Sequence, residues 1–336
     1  MKIIVPMAGM GKRMRPHTLT TPKPLIPVAG KPIVQRLVED IAQVCNSPVE
    51  EIAFIIGRFG EETESRLKKI AENLGAKPSI YYQDEALGTA HAILCAAPSL
   101  SGNVIVAFAD TLFKADFQLD NSADGIIWTS KVEDPSAFGV VKLNEHGVVE
   151  AFVEKPETFV SDRAIIGIYY FKDGENLKAE LQYLIDNDIR IKGGEFGLTD
   201  ALENMKNKGV QFKIETVTEW LDCGNKNATV YTNQRVLEFN KTDNSLISKG
   251  IQKENTVIIP PCYVGKNVTL KNSIIGPYAS IGDNCVIENS VIKNSIIQNH
   301  ALITNSIIEN SMAGNYSKIT GKPFDLSISD YSEVCE

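Results

Sequence analysis

From Ile247 onward the chain loses all helical periodicity and is built instead from short β-branched runs: Val257-Ile258-Ile259, Val268-Thr269-Leu270, Ile274-Ile275, Ile281-Gly282, Val286-Ile287, Val291-Ile292, Ile296-Ile297 and Ile307-Ile308. They recur at steps of roughly five to six residues, the signature of a hexapeptide parallel β-helix. Asn-Ser pairs precede several of them, at Asn272-Ser273, Asn289-Ser290, Asn294-Ser295 and Asn305-Ser306, where turn formers punctuate the runs. A coil of this kind buries its apolar face only by stacking on its neighbours. Imperfect spacing predicts a short, irregular solenoid over residues 253–322, with an antiparallel sandwich as the alternative. Residues 241–252 read as a linker and 323–336 as a weakly patterned tail.

The first 240 residues follow a different grammar. Lys2 to Pro6, Ile52 to Ile56, Ile80 to Tyr82 and Val104 to Phe108 read as strands. Ile33 to Val44, Glu61 to Leu74 and Ala90 to Ala97 show helical spacing. Such alternation implies an α/β domain with a parallel sheet and helices on both faces. Ligands in these sheets bind at the carboxyl ends of the strands, where the turn after Val5 and Asp110 both sit. Their convergence on one site is expected.

Charge narrows the function. The 336-residue chain carries a formal charge of −8, which argues against nucleic-acid binding. It has no apolar run long enough to span a bilayer and lacks a signal-peptide pattern at its N-terminus, so a soluble cytoplasmic protein is expected. Six scattered cysteines (Cys45, Cys95, Cys223, Cys262, Cys285, Cys335) and four scattered histidines fit neither a disulfide framework nor a zinc site. Yet residues 1–38 hold Lys2, Lys12, Arg13, Arg15, Lys23, Lys31 and Arg36 and not one carboxylate. In an acidic chain, that segment is built to meet anions. Within it, Ala8, Gly9 and Gly11 precede Lys12 and Arg13 directly after a strand, so backbone N–H groups and cations would converge on phosphate oxygens. The loop is neither a Walker A motif, because Pro6 and Arg13 occupy two of its required positions, nor a dinucleotide fingerprint, because Met14 stands at the third glycine.

The longer run is specific. Gly9-Met10-Gly11-Lys12-Arg13-Met14-Arg15-Pro16-His17-Thr18, followed by Pro22-Lys23-Pro24-Leu25-Ile26-Pro27-Val28-Ala29-Gly30-Lys31-Pro32, closely resembles the signature of sugar-1-phosphate nucleotidyltransferases. The resemblance continues in order through Gln83 and Leu87-Gly88-Thr89-Ala90, Ala109-Asp110, Phe138-Gly139-Val140-Val141, Glu154-Lys155-Pro156, Gly167-Ile168-Tyr169, Leu198-Thr199-Asp200 and Trp220-Leu221-Asp222. It covers nearly all of the first 225 residues. The short β-helix behind it resembles the longer members, including long-form glucose-1-phosphate thymidylyltransferases.

The resemblance implies a Rossmann-like nucleotide-diphospho-sugar transferase domain with a C-terminal left-handed β-helix. The implied reaction joins a sugar 1-phosphate and a nucleoside triphosphate into an NDP-sugar with release of pyrophosphate. Both substrates are anions, so positioning and electrostatic neutralisation dominate. The implied roles are Arg13 on the β/γ-phosphates, Lys23 where the two substrates meet, Lys155 on the sugar phosphate, Glu154 on sugar hydroxyls, and Gly139 and Gly167 as backbone contacts to the sugar. Asp110 and Asp222 are the implied Mg²⁺ ligands, since hard oxygen donors suit this ion. Gln83, with Gly88 and Thr89, resembles the pyrimidine-reading segment. An amide offers both a donor and an acceptor to a uracil or thymine edge, which favours UTP or dTTP. Glucose 1-phosphate is the favoured sugar.

Two departures stand out: Lys12 replaces the usual Thr or Ser, and Ala109 replaces a Gly. Neither removes an implied ligand. Trp128 and Trp220 read as core or pocket wall. Homo-oligomerisation through the β-helix is expected, and His300 reads as a turn residue. The rivals are a bifunctional uridylyltransferase/acetyltransferase acting on hexosamine phosphates, and a non-catalytic sensor of NDP-sugars.

Overall fold

The structure, a computed structural model, describes residues 1–191 and 193–321. The tail 323–336, with Cys335, and residue 322 at the end of the expected solenoid lie outside the described residues. The chain forms two compact units, one of Met1–Ile26 with Lys31–Asn225, the other of Pro27–Gly30 with the chain from Lys226 on.

The first unit is organised by a nine-stranded sheet. Its centre is parallel: Lys2–Pro6 pairs with Val104–Ala107 on one side and Glu51–Ile56 on the other, and Glu51–Ile56 pairs with Lys77–Tyr82. These strands are rich in β-branched residues, and Ile3, Ile4, Val5, Ile105 and Val106 are fully buried, as expected for strands covered on both faces. The sheet is not parallel throughout, as the sequence suggested. Arg163–Phe171 runs antiparallel to Val104–Ala107 and to Gly125–Lys131, and Gly139–Leu143 forms an antiparallel hairpin with Val149–Glu154. The connection between those two, Asn144 to Val148, is too short for a crossover helix, which a parallel pairing would need. Helices Thr89–Leu94, Gly174–Asp186 and Leu198–Asn207 pack their apolar residues, among them Ile93, Leu181 and Leu202, into a common core with the strands. Ile33–Val44 is helical as its spacing predicts, with Ile33, Leu37, Ile41 and Val44 buried on one face. Trp128 is fully buried, edge-on to Phe113 and Phe117.

In the second unit three parallel sheets of five, four and four short strands follow one another around each coil. Every one of their strand pairs is parallel, which excludes the antiparallel alternative. This is the left-handed β-helix the sequence pointed to. Val264, Leu270, Ile275, Ile281, Ile287, Ile292 and Ile303 fill its axis. Asparagines at the corners take positive φ, which their side chains tolerate better than most. They bond up the stack as ladders, Asn272 donating to Asn289 and Asn289 to Asn305, both at 3.1 Å. The spacing of these bonds tightens from 17 to 16 residues along the solenoid, which accounts for the irregular register. Ile247 bridges to Val264 and Ile251 packs on the solenoid core, so coiling reaches back into the stretch read as linker. The helix Lys226–Phe239 groups with this unit rather than the first. Its Asn233, fully buried, accepts from the Ala29 N–H at 2.9 Å and the Ser280 hydroxyl at 2.7 Å. His300 is an exposed corner residue at φ 59°, stacked on Tyr316 with ring centres 4.6 Å apart. The five described cysteines are free, and burial pushes the Cys262 and Cys285 thiols up to about 11.

Candidate active site

Because the central strands run parallel, the segments that follow Pro6, Tyr82 and Ala107 emerge at the same edge of the sheet. They carry the glycine loop, Gln83 and Asp110, and together they line a cavity of about 450 Å³. Ala8, Gly9, Gly11, Lys12, Arg13, Lys23, Gln83, Gly88, Thr89 and Asp110 all face it.

The loop is shaped by one close approach. Gly11 sits at φ +58°, and a Cβ there would stand 3.0 Å from both the Lys23 Cβ and the Thr18 Cγ2. Its carbonyl accepts the Thr18 hydroxyl at 2.8 Å. Met14 is buried while Lys12 and Arg13 are exposed, so the apolar residue pins the short helical turn Lys12–Met14 and the two cations are left to solvent. Lys23 differs from them. It lies between Pro22 and Pro24 in the turn Lys23–Leu25, only 9% exposed, with its ammonium 2.9 Å from Asp110 Oδ2. Proline on either side limits the backbone of this turn, and buried Leu25 and Ile26 anchor it.

Asp222 reaches the same place by strand pairing. Glu219–Asp222 runs antiparallel to Thr111–Lys114, with Asp222 opposite Thr111, and the Cys223 N–H donates to the Asp110 carbonyl at 2.9 Å. Desolvation raises the Asp222 carboxyl above its ordinary range and the nearby Asp110 charge raises it further. The Gly224 N–H, Lys23 and Arg13 oppose the shift. Two carboxylates and two cations thus share one electrostatic neighbourhood. Among the described residues no cluster of three or more His, Cys, Asp or Glu side chains could hold a metal. A pair of carboxylates that repel one another suits a small divalent cation such as Mg²⁺, which takes one or two carboxylates and completes its shell elsewhere.

The opposite wall is held from behind. Gly88 has φ +113°, and a Cβ on it would meet the Phe196 backbone O at 2.5 Å and N at 2.7 Å. The Phe196 N–H donates to the Leu87 carbonyl at 2.8 Å, and the Leu198 N–H to the Thr89 hydroxyl at 3.0 Å. The Gln83 amide is already engaged, with Nε2 3.2 Å from both the Gly88 carbonyl and His91 Nδ1.

Of the four residues implied for the sugar phosphate, Gly139, Glu154 and Lys155 lie together, and Gly167 packs against Phe108. Gly139 pairs with Glu154 across the hairpin, and a Cβ on it would stand 3.0 Å from Glu154 Oε2. Lys155 takes φ +44°, its N–H donating to the Phe138 carbonyl at 3.1 Å and its ammonium 3.8 Å from Glu154. Gly167, at φ +83°, accepts from the Phe108 N–H at 3.0 Å. None of the four lines the cavity, but Phe108, against which Gly167 packs, does. Trp220 packs edge-on to Phe138 and does not line the cavity. Sequence reasoning passed over Phe108, Glu195 and Gly224 on the cavity wall and His91 behind Gln83. Each lies within a few residues of a motif that was legible, and only that adjacency could have flagged them.

The nucleotidyl transferase family model matches residues 2–238. The chain belongs to this family. It is 32% identical over 264 residues to a protein named bifunctional protein GlmU from Methanococcus maripaludis, a match covering 77% of this chain and 59% of the relative. The chain therefore spans about three-fifths of the length of the relatives it matches in that group. It is 35% identical over 182 residues to the mannose-1-phosphate guanylyltransferase catalytic subunit beta of Drosophila pseudoobscura pseudoobscura, covering 51% of this chain and 47% of that one. In fold it is similar to a putative glucose-1-phosphate thymidylyltransferase from Bacillus anthracis, at TM-score 0.58 and 23% identity over 69% of this chain and 93% of the other. A UDP-glucose pyrophosphorylase solved with UDP-glucose gives TM-score 0.58 and 24% identity, over 71% of this chain and 98% of the other.

Proposed function

We propose that the chain is a cytoplasmic, Mg²⁺-dependent sugar-1-phosphate nucleotidyltransferase taking UTP or dTTP and, preferentially, glucose 1-phosphate. The observation that carries the reading is the meeting of the glycine loop, the Lys23–Asp110 pair and Gln83 around one cavity, with Asp222 beside Asp110. A phosphate oxygen of the sugar phosphate attacks the α-phosphorus in line, the bond to the β-phosphate breaks, and pyrophosphate departs with its electron pair. Lys12 and Arg13, both exposed on the loop, neutralise the β- and γ-phosphates. Lys23, nearly buried, adds a desolvated charge where the two substrates meet, which strengthens its field. Asp110 and Asp222 would hold Mg²⁺, which when bound offsets negative charge on the α-phosphate. Lys155 and Glu154 orient the sugar phosphate and its hydroxyls, with Gly139 and Gly167 leaving room for the ring.

Among the described residues no helix is long and apolar enough to cross a membrane. An outward ladder on one solenoid sheet runs through Val257, Ile274, half-buried Val291 and Ile307, the other three exposed by 57%, 40% and 85%, and supports the reading that a second copy of the chain docks there.

The test is pyrophosphate release with Mg²⁺ across dTTP, UTP, GTP, CTP and ATP against several hexose 1-phosphates. Turnover with UTP or dTTP, lost in Asp110→Ala, is the expected result. Turnover with GTP alone would overturn the base assignment. No turnover together with tight NDP-sugar binding would replace the enzyme by a sensor.

A further inference from the structure

Gln83 lines the cavity, whereas His91 does not and stands behind it. We propose that His91 is a positioning residue that fixes which end of the Gln83 amide faces the cavity, and so restricts the bases accepted to those carrying a ring N–H beside a carbonyl. The proposal rests on the cavity being the nucleotide site.

The argument runs through three atoms. The Gly88 carbonyl accepts the Ala92 N–H at 3.0 Å and lies 3.2 Å from the Gln83 amide nitrogen. A backbone carbonyl can only accept. The amide end turned toward it is therefore the NH₂ group, since the reverse placement would set oxygen against oxygen. The same nitrogen is 3.2 Å from His91 Nδ1. Its second hydrogen then needs an acceptor at Nδ1, which an imidazole supplies only when its single proton is on Nε2. The Gly88 carbonyl thus selects the amide end turned inward, and His91, accepting the second hydrogen at Nδ1, locks it there. Gly88 itself cannot shift freely, because the Phe196 backbone closes on it.

With both amide hydrogens turned inward, Gln83 offers the cavity an acceptor, Oε1, and no donor. Uracil and thymine at N3, and guanine at N1, present an N–H to such an acceptor. Cytosine at N3 and adenine at N1 present a lone pair, and two acceptors repel. A glutamine free to rotate would serve either class, so a single side chain discriminates only if something holds it. The sequence reading gave Gln83 both roles, donor and acceptor. In the folded chain the donor half is already used.

Two measurements on the full-length protein test this. In steady-state turnover, His91→Leu removes the Nδ1 acceptor and leaves the amide held by the Gly88 carbonyl alone. The preference in kcat/KM for UTP or dTTP over CTP should fall about tenfold or more, while KM for the sugar phosphate stays put. His91→Asn keeps a side-chain acceptor and should restore most of the preference, which a general loosening of the fold would not do. Full preference retained in a folded His91→Leu protein overturns the proposal. The second measurement is independent of turnover. With ¹⁵N-labelled histidine there are four side chains to resolve, and His91, assigned by its loss in His91→Asn, should show an unprotonated Nδ1 and a protonated Nε2. A proton on Nδ1 overturns the proposal. If the wild-type protein turns over no nucleotide at all, it is the nucleotide-site reading that fails, and the tautomer still decides the orientation of Gln83.

Discussion

In the β-helix the asparagine ladder bonds join residues 16 or 17 positions apart. In the α/β unit the bonds that build the site join Lys23 to Asp110, 87 positions apart, and Thr89 to Leu198, 109 positions apart. One unit is assembled by repetition and the other by convergence. A repeat is stabilised by its own coil and the next, so its energetics are close to additive between neighbours. A convergent site depends on long loops closing in the right order, and each of its contacts presupposes the rest. Damage should therefore stay local in the solenoid and spread in the α/β unit.

The sharpest break comes at the carboxylates. Asp222→Asn is expected to lower turnover about a thousandfold while the melting temperature holds or rises, since it removes a desolvated carboxyl that Asp110 already repels. Pyrophosphate release with a Mg²⁺ titration, beside a thermal melt, checks both halves. A folded variant with near-normal turnover would remove Asp222 from the machinery.

Gly88→Ala should cost about 3 kcal/mol, through a backbone φ of +113° that alanine resists and a Cβ only 2.5 Å from the Phe196 carbonyl oxygen. Because Phe196 and Leu198 brace the same wall, loss of hydrogen-exchange protection should extend into the helix Leu198–Asn207. Ile287→Ala in the solenoid should cost a similar amount, about 3 kcal/mol, for a fully buried side chain. Its loss of protection should stop at the coils paired with Val286–Glu288, namely Thr269–Lys271 and Leu302–Thr304. Equal spreading in the two variants would erase the distinction between the units.

The smallest effect is a matter of pH. Burial pushes the Asp40 carboxyl up to about 7, against the opposing charge of Arg36. A folded pKa above the unfolded value means that the native state holds the proton more tightly. The wild-type chain thus loses stability relative to Asp40→Asn as pH rises from about 4 to 7. The variant should gain about 2 kcal/mol by pH 8, less than the full linkage value because the side chain keeps some water, and nothing below pH 4. Denaturation midpoints at pH 4 and pH 8 decide it.

Much of this was legible in the chain itself. The strand Lys2–Pro6, the helix Ile33–Val44 and the solenoid declare themselves because their patterns are local: a short apolar run, a period of 3.6, or the repeat of the coil. The glycine loop, Lys23, Gln83 and Asp110 were legible as motifs, and the fold brings them to one cavity. The antiparallel half of the sheet was not, because strand direction depends on which partner a strand meets and not on its own residues. The change of texture at Ile247 was legible, but that Ile247 already pairs within the solenoid was not, because its partner Val264 lies on the next coil.

The sequence by itself determined the chemistry available: cations without carboxylates in the first 38 residues, two aspartates, one amide, and a repeat that can only stack. Tertiary structure alone decided three things: that Asp222 stands across a strand pair from Thr111, beside Asp110; that Gly139, Glu154, Lys155 and Gly167 stay out of the cavity wall; and that Gln83 turns its amide nitrogen toward Gly88 and His91. The physical reason is the same in each case. Residue type fixes what a group can donate, accept or carry, but which partner fills that capacity is set by distance, and distance is a property of the folded chain.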